Sequence, residues 1–249
     1  MIAVSEELRD TIHKLQKLPS LSQFALAGGT NLALRYNHRK SVDIDLFSPN
    51  IVGRSGFKEI EDEINQYFGS SVIGLQYPCD ENDQFIFLRC FIVENGVTIK
   101  VEILQNMKFV YDIEVVDGIR LISKKDIGLF KLESAANRKA KKDIYDLDYI
   151  TDEIPLVELF DQLKLKKEKF CSDSDRTIFD LDNELGPIEN PKLLLEFENS
   201  SLPNNTRPVH SNDTISIMDE QKSFLLARMS WRTKVRKLFS HLGLGFPEM

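Results

Sequence analysis

Gly28, Gly29 and Thr30, with Asp43 and Asp45 a dozen residues further on, are the residue types and spacing in this chain best suited to chemistry. A glycine pair after an apolar run lets backbone amides approach a phosphate closely, because no Cβ stands in the way. Residues i and i+2 of a strand point to one face, so Asp43 and Asp45 form a carboxylate pair. Such a pair holds Mg2+ when phosphate oxygens complete the coordination shell. Helix N-terminal amides at the glycines and the Thr30 hydroxyl would meet those same phosphates. Cradle and clamp together point to phosphoryl or nucleotidyl transfer. Taken singly, both signals are weak: Gly-Gly-Thr is a common turn, and Asp-x-Asp is more often a solvated pair on an edge strand.

Two further groups bear on this chemistry. Glu102 stands on the polar face of the strand pattern Val97–Leu104, where Ile99, Val101 and Ile103 face the other way. From there it can join Asp43 and Asp45 as a third carboxylate, a ligand of a second metal ion and a base for an attacking hydroxyl. The plainer alternative is a solvent-facing carboxylate paired with Lys100. Lys131, Ala135 and Arg138 share one helix face, and Lys131, flanked by Phe130 and Leu132, can reach a nucleotide phosphate from a partly buried stem. Asp143 and Asp146 share a face of the following helix. The alternative for this whole run is a solvated charged face with intrahelical pairs.

These residues need elements to position them. Leu8, Ile12, Leu15 and Leu18 predict a helix over residues 5–18, ended by Pro19. Residues 23–27 read as a short strand, 30–34 as a short helix, and 42–47 as a strand with one wet face. Phe57, Ile60, Ile64 and Phe68 predict a helix over 55–68. Strand character dominates 71–122, with hairpin signals at Glu94-Asn95-Gly96 and Asp117-Gly118. Ser123 is a candidate N-cap with Asp126 placed for a capping box. From there the pattern turns helical: one helix through Ala135, a second over about 143–149 and a third over 155–170. Residues 171–216 are punctuated by Gly186-Pro187, Asn190-Pro191, Leu202-Pro203-Asn204-Asn205 and Arg207-Pro208. Residues 219–241 read as a terminal helix with Trp231 among basic residues, expected to dock on the core. The expected architecture is α+β, a small mixed sheet with flanking helices followed by a helical C-terminal part. Its expected divisions are a core over 1–122, a helical region over 123–170 and a loop-rich extension over 171–249.

The chain's 249 residues suffice for one large domain or two small ones. At 42% hydrophobic and 29% charged residues it reads as globular. No run approaches the roughly 18 apolar residues of a membrane span. Met1-Ile2-Ala3-Val4 followed by Ser5-Glu6-Glu7 reads as a helix start rather than a targeting segment. Cys79, Cys90 and Cys171 form neither a disulfide framework nor a metal motif, so a cytoplasmic location is expected. A net charge of −7 argues against a general nucleic-acid coat. Between Arg120 and Lys142, however, eight basic residues face only Asp126 and Glu133, which suggests a polyanionic ligand at one place.

Four segments then carry a resemblance, in order and at compatible spacing. They are Leu26–Leu34, Arg39–Phe47, Lys131-Leu132-Glu133-Ser134-Ala135 with Arg138, and Lys142-Asp143-Ile144-Tyr145-Asp146-Leu147. Together they resemble the AbiEii/AbiGii-type toxin nucleotidyltransferases of bacterial abortive-infection and toxin–antitoxin systems. The resemblance implies a minimal nucleotidyltransferase fold, Mg2+ and an NTP donor. It implies that Asp43, Asp45, Lys131 and Asp146 are needed for activity and that Arg39 and Ser41 frame the metal strand and contact the nucleotide. It makes RNA, with tRNA first, the expected acceptor, guided along its backbone by Arg138, Lys139, Lys141 and Lys142. Any antitoxin is expected to be a separate protein. A glycine common in the family is missing from Asn137-Arg138-Lys139-Ala140, and residues 171–249 carry no part of the resemblance. Two other readings stand beside this one: transfer to a small-molecule or protein hydroxyl, and a nucleotidyltransferase-like binding module without activity.

Overall fold

The computed structural model describes residues 2–197 and 214–247; the turn signals at Leu202–Asn205 and Arg207-Pro208 lie outside the described residues. Among these, seven strands form one mixed sheet: β1 (Ala25–Leu26), β2 (Asp43–Phe47), β3 (Val72–Glu81), β4 (Phe85–Glu94), β5 (Val97–Leu104), β6 (Glu114–Val116) and β7 (Ile119–Leu121). Their spatial order is β3-β4-β5-β2-β1-β7-β6. Pairing is antiparallel except where β2 meets β5 and β1 meets β7. The described helices are α1 (Glu6–Gln16), α2 (Gly28–Tyr36), α3 (Gly53–Phe68), α4 (Lys124–Arg138), α5 (Lys141–Glu153), α6 (Leu156–Lys169) and α7 (Phe224–His241). The α+β expectation therefore holds.

Side-chain alternation along the central strands creates two different faces. Ile44 and Leu46 of β2, Leu88, Cys90 and Ile92 of β4, and Val101 and Ile103 of β5 lie in one hydrophobic cluster. Leu8, Ile12 and Leu15 of α1 and Phe57, Ile60 and Ile64 of α3 close it. The opposite face carries Phe47, Phe87 and Leu104, which pack with Leu129 and Leu132 of α4, Ile144 and Leu147 of α5, Leu159 of α6 and Trp231 of α7. On these same strands the residues two and four positions before Phe47 and Leu104 are Asp45, Asp43, Glu102 and Lys100. One face thus passes from apolar floor to charged rim.

Local chemistry explains where elements start and stop. Asn95 (φ 49) with Gly96 (φ 79), and Asp117 (φ 51) with Gly118 (φ 74), take the paired left-handed conformations that tight hairpins require. β1 is shorter than expected, and buried Asn31 ties it in place by donating to the carbonyls of Leu26 at 2.8 Å and Ile122 at 2.9 Å. Ser123 caps α4, accepting from the Asp126 amide at 3.0 Å. The capping box is replaced by a wider clamp: Asp126 accepts from the amides of Val110 and Tyr111 and from the Ser123 hydroxyl. α4 and α5 are separate helices because Lys139 takes a left-handed conformation (φ 54), the role of the missing glycine. α7 docks as expected: Trp231 is fully buried and its indole N–H donates to the Leu194 carbonyl at 2.8 Å.

Candidate active site

Asp43 and Asp45 project from the charged rim of β2, and the parallel partner β5 sets Lys100 beside Asp43 and Glu102 beside Asp45. Backbone pairing of β1 with β2, including Ala27 N–H to the Asp45 carbonyl at 2.8 Å, brings the start of α2 against the same rim. Gly28 there has φ 62, and a Cβ on it would overlap the Asp45 carboxylate. Only glycine permits this approach. A Cβ on Gly29 would overlap the Arg39 guanidinium. The first turn of α2 has no side-chain cap, so its leading amides stand between a carboxylate wall and an arginine. Such amides and the helix dipole favour an anion.

Thr30 occupies a different place from the one its hydroxyl was expected to take. It is buried, and the hydroxyl bonds to the Asp43 carbonyl and the Ser41 hydroxyl. It therefore pins the start of β2 to α2, and Ser41 is part of that pin.

The second wall is a buried ionic network. Asp146 of α5 accepts from His38 Nε2 at 2.8 Å and Arg39 Nε at 2.6 Å on one oxygen. Its other oxygen takes Arg39 Nη2 and Lys131 Nζ, each at 2.7 Å. Lys131 also donates to Asp143 at 2.7 Å, and Arg138 reaches both oxygens of Asp143 at 3.0 Å. Burial alone would raise the Asp146 pKa, but the charges of Arg39 and Lys131 win and hold it well below the ordinary carboxylate range. Burial pushes His38 below its usual value against the pull of Asp146, favouring a neutral ring that donates from Nε2. His38 stacks on Tyr145 with ring centroids 5.6 Å apart. Three fixed cations, Arg39, Lys131 and Arg138, thus share two carboxylates beside the glycine turn.

Asp45 has the opposite environment. Burial, then the neighbouring Glu102 charge, raises it to about 7. Glu102 is buried rather than solvent-facing, and both oxygens are engaged: Arg89 of β4 lies 2.7 Å from one and Lys100 3.2 Å from the other. Among the described residues no three His, Cys, Asp or Glu side chains converge to form a complete protein cage for a metal. Nucleotidyl transfer uses a divalent ion, and the residues fit one that shares its shell with substrate. Asp43 and Asp45 offer hard oxygen donors on one strand face, and the bare glycine backbone lets the Asp45 carboxylate lie against the start of α2.

The basic excess between Arg120 and Lys142 is largely matched on folding by partners far along the chain. Lys124 pairs with Glu153, Lys125 with Glu158 at 2.9 Å and Lys139 with Glu196 at 2.7 Å. Arg120 donates to the carbonyls of Gln16, Leu21 and Phe24. Lys141 is exposed and Lys142 half-buried at the start of α5. His38, Arg89 and Lys100 are the site neighbours that motif spacing did not single out. Lys100 and Arg89 share the strand parity that marked Glu102, whereas His38 carries no signal beyond preceding Arg39.

A two-carboxylate strand, a glycine helix start and a cationic wall on a mixed sheet define a nucleotidyltransferase. The sequence matches the nucleotidyl transferase AbiEii toxin family of type IV toxin–antitoxin systems over residues 13–240, and the chain belongs to that family. Its fold is similar to that of MenT4, a nucleotidyltransferase toxin of Mycobacterium tuberculosis H37Rv. The TM-score is 0.56 across 94% of this chain and 82% of that one, at 17% identity. A protein of Aquifex aeolicus (strain VF5), described as uncharacterized, is 30% identical over 150 residues, which are 60% of this chain and 68% of that protein. Among the described residues no helix is long and apolar enough to cross a membrane.

Proposed function

We propose that this nucleotidyltransferase toxin moves a nucleoside monophosphate from an NTP to an RNA hydroxyl, with tRNA the leading acceptor and Mg2+ the metal. Its antitoxin would be a separately encoded protein. The observation that carries the reading is the pair of walls flanking Gly28 and Gly29: Asp43 and Asp45 on one side, Arg39 and Lys131 joined through Asp146 on the other.

The roles follow from position. Asp43 and Asp45 would hold Mg2+, which when bound neutralises phosphate oxygens and fixes their geometry. The leading amides of α2, with Arg39 and Lys131, bind the remaining phosphates. The acceptor hydroxyl releases its proton to solvent as its oxygen bonds to the α-phosphorus, the bridge to the β-phosphate breaks, and pyrophosphate leaves. Charge moves onto that leaving group, where Arg39 and Lys131 face it without reorganising. Asp146 holds both cations, Thr30 and Ser41 fix the metal strand, and Glu102 completes the acidic wall. Arg138, Lys139, Lys141 and Lys142 line the approach that a nucleic-acid backbone would take.

One observation favours the rival acceptor, a small-molecule or protein hydroxyl: Arg138 and Lys139 are already paired with Asp143 and Glu196. Incubation with α-labelled NTP, Mg2+ and total tRNA over a salt series separates the two. RNA transfer predicts labelled tRNA whose yield falls steeply with salt. Label on protein or small molecule, insensitive to salt, contradicts it. Calorimetry that finds no metal-dependent nucleotide binding would instead support a binding module without activity.

A further inference from the structure

We infer that Lys100, braced with Arg89 through Glu102, is a built-in cation standing where a second metal ion would sit, so that this site works with one divalent ion. The inference rests on Asp43 and Asp45 being the metal wall.

Strand register puts the charges on a single face. Asp43 pairs with Lys100 and Asp45 with Glu102 across β2 and β5, and Arg89 pairs with Glu102 across β4 and β5. The Lys100 ammonium lies 3.7 Å from Asp43 Oδ2 and 3.2 Å from Glu102 Oε2. It therefore bridges one metal-wall carboxylate and the third carboxylate of the set. In a two-metal site, two cations about 3.5–4 Å apart form a clamp that stabilises the attacking and leaving oxygens. Here the bridging position is filled by the chain itself.

The charge balance argues the same way. Asp43, Asp45 and Glu102 bring at most three negative charges, and Lys100 and Arg89 return two positive ones. At most one net negative charge is left on the rim, a weak field for two divalent ions. Arg89 engages the remaining Glu102 oxygen through Nε at 2.8 Å and Nη2 at 2.7 Å, so that carboxylate is fixed toward β4. Glu102 is 2% exposed and the Lys100 side chain 17%. Displacing the ammonium would take the partner from one oxygen of a buried carboxylate, which is costly. Lys100 is thus a positioning residue: it keeps Asp43 and Glu102 in register and supplies a positive charge that does not dissociate when metal is scarce.

The test counts ions rather than turnover. Free Mn2+ is measured by electron paramagnetic resonance in titrations of the full chain with a non-hydrolysable NTP analogue. Wild type, Lys100→Arg and Lys100→Met are compared, with circular dichroism confirming the fold. The expected result is one protein-dependent Mn2+ per chain in wild type and Lys100→Arg, and two in Lys100→Met. Added Mn2+ should also raise the melting temperature of Lys100→Met more than that of wild type. Two ions in wild type overturn this inference and leave the proposed transfer reaction standing; that count needs no variant to fold. One ion in a folded Lys100→Met overturns it as well. No bound Mn2+ in wild type overturns it together with the metal wall.

Discussion

Asp146 spends both oxygens on His38, Arg39 and Lys131, which makes it a positioning residue for cations rather than a direct ligand of nucleotide. Removing its charge leaves buried Arg39 and Lys131 poorly compensated. Asp146→Asn is expected to cost about 3–5 kcal/mol in denaturant unfolding and to weaken NTP binding with it. The pH dependence has a definite sign. The folded-state pKa of Asp146 is depressed, so its contribution is present above the ordinary carboxylate value and lost as pH falls toward the folded one. Asp146→Asn should flatten the acid limb of the stability curve. Asp45 behaves the opposite way. Its folded pKa is raised to about 7, so the folded chain holds a proton that the unfolded chain has released over the interval below 7, and stability falls as pH rises through it. Metal-free Asp45→Asn should therefore melt above wild type at pH 8, and Mg2+ with nucleotide should erase that advantage. A lower melting point for the metal-free variant would contradict the environment assigned to Asp45. Asp43 and Asp45 were legible because a two-residue period marks a strand face. The Thr30 hydroxyl was not, since nothing in a Gly-Gly-Thr motif tells whether the third side chain turns outward to a ligand or inward to a strand.

Elements were legible wherever a local signal sufficed. The two hairpins follow from Asn95-Gly96 and Asp117-Gly118, whose residues tolerate the left-handed region. α3 and α7 follow from helical spacing of apolar residues. The start of α5 was placed late because Lys139 adopts the left-handed conformation of a helix terminator without being glycine. A non-glycine residue there costs about 1–2 kcal/mol. Lys139→Gly should therefore be more stable than Lys139→Ala by about 1 kcal/mol in thermal or chemical unfolding. Both variants lose the Glu196 pair, so the comparison isolates the backbone. Equal stabilities would contradict the assigned helix end. The register of β2 with β5 was the least legible element-level fact, because parallel pairing joins strands more than fifty residues apart. Glu102 could be suspected from its parity, but its placement beside Asp45 and its pairing with Arg89 needed the sheet.

On the scale of the whole molecule, the C-terminal part is built into the site's support rather than appended to it. Residues after 213 return to the loop that carries Arg39: Lys40 N–H donates to the Ser216 carbonyl at 2.8 Å and Met218 N–H to the His38 carbonyl at 3.1 Å. Lys222 and Lys234 each reach Asp148 of α5 at 2.7 Å, and Trp231 closes the cluster shared by sheet and helices. Trp231→Ala should cost about 3–5 kcal/mol, and calorimetry should show a single unfolding transition shifted down as a whole. A separate low-temperature transition, with the site unaffected, would contradict this integration. Composition could not reveal it, because the apolar residues of α7 and the acids of α5 are distant in sequence. For the same reason the basic excess of residues 120–142 looked like a ligand site before folding supplied Glu153, Glu158 and Glu196. The central claim is that Asp43 and Asp45, opposite Arg39 and Lys131, carry nucleotidyl transfer. Transfer of α-label from an NTP, assayed for wild type, Asp43→Asn, Asp45→Asn and Lys131→Met of verified fold, tests it most directly. The account predicts metal-dependent labelling of acceptor by wild type and a loss of at least about 100-fold in each variant. Labelling that persists at wild-type rates in the Asp43 or Asp45 variant would contradict it.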